Sequence, residues 1–168
     1  MNGFKAHLQV TTPYNAGTDD VALTPGAYRL MLWKTIINNK GWELDPASGA
    51  LYARTPGLKM LRGFIWVDAG LTAGEVNTIK ITLGGNPANL VTQDGADVDA
   101  AVSYAQGTGA QAGRAGFVFG GVANMAAGNF VRVWYFPTGG GGAGSVNVNG
   151  HLAHTMFEGV DNGGGYSY

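Results

Sequence analysis

Cysteine is missing altogether from the 168 residues, so neither a disulfide framework nor a thiolate metal site can form, and nothing ties the chain to an oxidising compartment. Charge is scarce as well. Only 12% of residues are charged and the formal net charge is −1, which leaves no electrostatic footprint for DNA, RNA or an anionic membrane. No run of about 18 apolar residues occurs, and the opening MNGFKAHLQVTTPYNAG lacks a basic start followed by an apolar stretch. The expectation is a chain with neither a standard secretion signal nor a membrane span. Sustained helical periodicity with caps is absent too.

Glycine, by contrast, is abundant. There are 29 glycines in 168 residues, more than twice the usual share of roughly 7% and without the triplet period of collagen. With 45% hydrophobic and 11% aromatic residues, this is the composition of a turn-rich all-β domain. The chain breaks into short β-branched and aromatic runs between Gly, Pro, Asn and Asp, predicting strands over 28–37, 49–54, 59–67, 76–83, 115–122, 130–136 and 151–160, with weaker ones at 88–92 and 100–104. Eight to ten strands of this kind predict an antiparallel jelly-roll sandwich. Residues 25–160 form the predicted domain, 1–24 an N-terminal arm, and 161–168 a flexible tail.

Successive strand side chains point to opposite faces, so each run splits into two sets. In 76–83, Asn77, Ile79, Ile81 and Leu83 oppose Val76, Thr78, Lys80 and Thr82, which predicts one face on a core and one in water. In 60–67 both sets are apolar: Met60, Arg62, Phe64 and Trp66 against Leu61, Gly63, Ile65 and Val67. The same holds for 130–136, with Phe130, Arg132, Trp134 and Phe136 against Val131, Val133 and Tyr135, and for 28–37, with Trp33 on one of its faces. A sandwich normally shows water one face of each sheet, so a strand apolar on both needs a second cover. With no helix to supply it, the expected cover is another copy of the chain. Trp33, Arg62, Phe64, Trp66, Phe130, Arg132, Trp134 and Phe136 are the predicted interface residues.

The order NNKGWELDPASGALYARTPG followed by an apolar strand resembles the globular heads of the first complement component and of the tumour necrosis factor superfamily. The resemblance is carried by Asn39, Trp42, Asp45, Ser48, Gly49, Leu51, Pro56 and Gly57. MAAGNFVRVWYF is similar to the family's turn and Val/Trp-rich strand, and Phe157 and Gly159 of HTMFEGV to its closing strand. The resemblance spans roughly residues 28–160 and implies a jelly roll of about ten strands that trimerises through its inner sheet. On that implication the doubly apolar strands belong to the inner sheet and 76–83 to the outer one.

Motifs for chemistry are sparse. Ser145 in GGAGSV lacks a nucleophile elbow, and GTGAQAG at 107–113 has no βαβ setting for a dinucleotide. His151 and His154, three apart, would face opposite sides of a strand, so a shared zinc is not expected. Asp94, Asp97 and Asp99 are close enough to suggest a cation, but without the EF-hand order they read as a solvated turn. Arg62 and Arg132, alternating with aromatics, read as stacked or ion-paired side chains and not as an anion or glycan site. No catalytic residue, cofactor or metal is expected.

These readings converge on a trimeric structural protein of a virus particle, made in the host cytoplasm. The leading expectation is a bacteriophage capsid decoration or cement protein. Its arm residues Phe4, Leu8, Val10 and Tyr14 would engage the major capsid protein or another virion protein. The alternative is a receptor-binding knob of a head fibre, spike or tail fibre, with loops 84–114 and 137–150 contacting a host surface glycan.

Overall fold

A computed structural model describes residues 3–84, 101–107 (backbone only), 113–139 and 144–161. Among them are thirteen strands and one short helix: β1 (Gly3–His7), α1 (Ala16–Asp19), β2 (Val21–Leu23), β3 (Arg29–Leu30), β4 (Thr35–Lys40), β5 (Trp42–Asp45), β6 (Ala50–Ala53), β7 (Gly57–Ala69), β8 (Asn77–Gly84), β9 (Ala101–Gly107), β10 (Ala115–Met125), β11 (Phe130–Phe136), β12 (Val146–Val148) and β13 (Met156–Asp161). They form two antiparallel sheets. One has seven strands in the order β2-β12-β7-β13-β1-β4, with β10 on the other side of β7; the other has six in the order β5-β6-β11-β8-β9, with β3 also on β11. The predicted jelly-roll sandwich is therefore present, with more strand segments than the eight to ten expected.

The core lies between the sheets. From the seven-stranded sheet come Phe4, Ala6, Leu61, Ile65, Val67, Phe117, Phe119 and Phe157; from the other come Leu51, Ile79, Ile81, Val131, Val133 and Tyr135. Alternation fixes which residues of each strand enter it. Gly63 shows why a glycine stands mid-strand in β7: a Cβ there would meet the Phe119 ring at 2.2 Å. Without it, Phe119 lies against Phe157, ring centroids 5.7 Å apart.

Residues 3–24 are not an arm. β1 lies between β13 and β4, in register from Gly3↔Val160 to His7↔Met156, and buries Phe4 and Ala6, with Leu8 just beyond it also buried. β2 pairs with β12. The loop between them is pinned by the fully buried Asp19, whose carboxylate accepts the N–H groups of Val10 (2.8 Å), Thr11 (3.2 Å) and Asn15 (2.9 Å) and the Thr11 hydroxyl. Burial alone would raise the Asp19 pKa, but these donors outweigh it and hold the carboxyl below its ordinary range. Tyr14 donates its hydroxyl to Asp20; of the four predicted arm residues only Val10 is well exposed. Asp161, placed in the tail by sequence, ends β13 and is buried.

The two-sheet assignment differs from expectation in one further respect. β11 shares the six-stranded sheet with β8 and does not join β7. The predicted strand 28–37 is divided, its start pairing with β11 and its end with β1. Nor does the second face of β8 lie fully in water: Thr78 and Thr82 are buried, while Lys80 between them is partly exposed.

Candidate functional site: an open face of the seven-stranded sheet

Strand alternation that points Leu61, Gly63, Ile65 and Val67 of β7 inward points Leu58, Met60, Arg62, Phe64 and Trp66 outward. The neighbouring strands bring matching residues to the same side. Register aligns Val122, Met60 and Val160 in one row; Gly120, Arg62, Glu158 and Lys5 in the next; Val118, Phe64, Met156 and His7 in a third; and Gly116 with Trp66 in a fourth. Three of these rows are largely apolar, and among the described residues their β10 and β7 positions lie open: Val118 is 75% exposed, Met60 54% and Val122 53%. Beside Arg62, Gly120 and Gly121 of β10 leave a depression lined also by Met60, Val122 and Val160.

Gly116 shapes the aromatic end of this face. A Cβ there would lie 2.5 Å from the Phe64 ring and 2.9 Å from that of Trp66. Its absence lets the two rings lean across β10, stacked with centroids 6.3 Å apart. Trp66 donates its indole N–H to Asp68 Oδ1 at 2.8 Å, and Asn149 Nδ2 donates to Asp68 Oδ2 at 2.5 Å, which fixes the rim of the shelf. The row between the apolar ones is an ion-pair ladder. Arg62 Nε and Nη2 each lie 2.8 Å from Glu158 Oε2, and Lys5 Nζ is 3.8 Å from Oε1. At the edge of the face, burial lowers the pKa of His7; Lys5 lowers it further, while its hydrogen bond with Gln9 and the charge of Asp19 raise it in part.

Of the eight predicted interface residues, Arg62, Phe64 and Trp66 lie on this face. Trp33 does not: it is wholly buried between the sheets, stacked on Phe157 at 5.9 Å. Phe130, Arg132 and Trp134 are on the other sheet and are covered by the chain itself. Tyr52 packs on Phe130 at 5.4 Å, the Arg132 guanidinium lies 5.0 Å from the Phe130 ring, and Trp134 donates to Thr82 Oγ1 at 2.9 Å. Phe136, half-buried, contacts Tyr28, over whose ring Lys80 sits at 4.3 Å. Sequence reasoning missed Met60, Val118 and Val122, although the G-V-G-V alternation in 116–122 carried the signal.

Elsewhere the structure offers little for catalysis. Among the described residues no group of three or more His, Asp or Glu side chains could hold a metal ion. His151 and His154 are in a turn, not a strand, so their rings adjoin at 5.0 Å, where extended geometry would have separated them. His151 Nδ1 accepts from the Ala153 N–H at 3.1 Å, which commits that nitrogen. Asp94, Asp97, Asp99 and most of 107–113 lie outside the described residues.

The two-sheet arrangement matches solved structures across nearly the whole chain. Eiger, a tumour necrosis factor from S. frugiperda, aligns with a TM-score of 0.62 at 10% identity over 95% of this chain and 91% of its own. Murine APRIL gives 0.61 at 8% identity over 96% and 99%, and the globular domain of zebrafish complement 1qA protein 0.59 at 8% over 96% and 98%. The fold is a tumour necrosis factor/C1q-like jelly roll. No protein-family model matches the sequence, and no curated protein matches it. At such identities the likeness is one of fold.

Proposed function

We propose that this chain is a homotrimeric structural protein of a bacteriophage particle, a decoration or cement protein seated on the head and held by the major capsid protein. The observation that carries the assembly is the open face of β10, β7 and β13. Apolar side chains exposed side by side on one sheet face support an interaction site. Burying it recovers roughly 25 cal/mol per Å², and each large side chain that goes fully from water to contact contributes about 1.5–3 kcal/mol. The like surface of two further copies supplies the cover, as the jelly-roll likeness suggests. The Arg62–Glu158–Lys5 ladder then fixes their register, because misplacing it would strand charges against apolar rows.

The virion role is supported by composition. A cysteine-free chain rich in glycine, stabilised by packing and by assembly, suits synthesis in a reducing host cytoplasm and service on a particle surface. With β1 built into the sheet, attachment falls to surfaces that the trimer leaves outside. The test is co-sedimentation of the purified trimer with heads that lack it. Saturable binding by the trimer but not by a Val118→Glu monomer is expected. A trimer that ignores heads yet binds a host surface glycan would overturn the decoration reading in favour of a receptor-binding knob.

A further inference from the structure

Every inward residue of β7 is apolar or glycine except one. Lys59 lies 1% exposed between the sheets, opposite Asp161 in the register of β7 and β13. Its ammonium nitrogen is 2.9 Å from Asp161 Oδ2. Two further groups complete the cluster. The Thr55 hydroxyl donates to Asp161 Oδ2 at 2.9 Å and accepts from Lys59 Nζ at 3.2 Å, so it bridges the two. The Trp42 indole donates to the other oxygen, Asp161 Oδ1, at 3.2 Å, while its ring lies 5.6 Å from Lys59 Nζ.

A buried ion pair by itself is a weak source of stability, because desolvation of both charges offsets their attraction. The arrangement here has the parts of an acyl transfer. A nucleophilic nitrogen is held against a carboxyl, an N–H donor sits on the oxygen where negative charge would develop, and a hydroxyl spans the nitrogen and the oxygen that must leave. We propose that Lys59 and Asp161 condense spontaneously to an isopeptide bond. This inference is independent of the trimer and of the virion role.

The step balances without any co-reactant. A proton passes from the ammonium to Oδ2 through Thr55, giving amine and carboxylic acid. The nitrogen lone pair adds to Cγ, with Trp42 stabilising the charge on Oδ1. A second proton moves from nitrogen through Thr55 to Oδ2, the Cγ–Oδ2 bond breaks, and water leaves. The three protons of the ammonium end as one on the amide nitrogen and two on water. The product joins β7 to β13 and removes two charges from the interior, a covalent clasp in a chain that has no disulfide.

The experiment is the intact mass of the purified full-length chain, with tandem mass spectrometry of its peptides. The expected result is a chain one water lighter than its sequence, with peptides containing Lys59 and Asp161 joined, and no loss in Lys59→Arg. Thr55→Val should slow the loss at least tenfold. Wild-type protein that keeps its full mass after prolonged incubation in the folded state would overturn the proposal. So would a dehydrated product that hydroxylamine opens to a hydroxamate, since that marks a succinimide at Asp161–Asn162. The wild-type measurement decides even if a variant does not fold.

Discussion

β7 and β11 carry the same pattern and meet opposite fates. Each is apolar on both faces, and each places one arginine among aromatics. The second face of β11 is covered from within the chain, so that Phe130, Arg132 and Trp134 are all buried. The second face of β7 stays open, with Met60 more than half exposed and Phe64 and Trp66 only partly covered. The difference lies in the neighbours. β11 is flanked by residues that reach over it, Tyr52 and Thr82 among them. β7 is flanked by β10, whose outward positions alternate glycine and valine and cannot reach over anything. A doubly apolar strand thus shows that two covers are needed but not who provides the second.

The sharpest way to break the comparison is to truncate one aromatic on each strand. Trp134→Ala removes a fully buried indole and orphans the Thr82 hydroxyl, and should cost about 3–5 kcal/mol in denaturant unfolding. Phe64→Ala should leave the unfolding free energy of the isolated subunit within about 1 kcal/mol while weakening self-association, since surface truncations away from packed sites have small effects. Equal losses in both would mean that β7 is covered within the chain after all.

A smaller effect is expected at the loop that makes the N-terminal strand part of the domain. Asp19→Ala leaves the N–H groups of Val10, Thr11 and Asn15 without their acceptor. Each buried unpaired donor costs about 1–3 kcal/mol where water cannot reach it, and partial access should bring the total to about 2–3 kcal/mol by thermal or denaturant unfolding.

His7, at the margin of the open face, should give the smallest change. Its folded-state pKa lies below the unfolded value because burial disfavours the charged ring. The unfolded chain therefore binds the proton first. The stabilising contribution is complete above about pH 6.5 and is lost as pH falls from there toward the folded pKa. Melting curves between about pH 7.5 and 5 should show that decline in the wild type and a flatter profile in His7→Gln. An unchanged slope in the variant would assign the pH dependence to other groups.

Much of this architecture was legible in the sequence. The strand runs and turn residues marked an all-β sandwich, and the two-set comparison singled out Arg62, Phe64 and Trp66, which lie together on the open face. FKAHL at 4–8 also alternates as a strand should, but its setting among Pro, Asn and Gly made it read as an arm. Only its pairing with a strand at the far end of the chain makes it central. The cover over β11 was not legible for a similar reason. Tyr52 and Thr82 come from separate strands and Tyr28 from the segment just before β3, and they meet there only through sheet topology. Lys59 and Asp161 likewise become partners through the β7–β13 register, which local pattern does not reveal.

The most direct test of the open face is the mass of the native particle by sedimentation velocity, for the wild type and for Val118→Glu, with circular dichroism on both. A wild-type trimer and a Val118→Glu monomer with the same β-sheet spectrum are the expected results. A wild-type chain that remains a folded monomer at high concentration would contradict the reading of this face as an assembly surface.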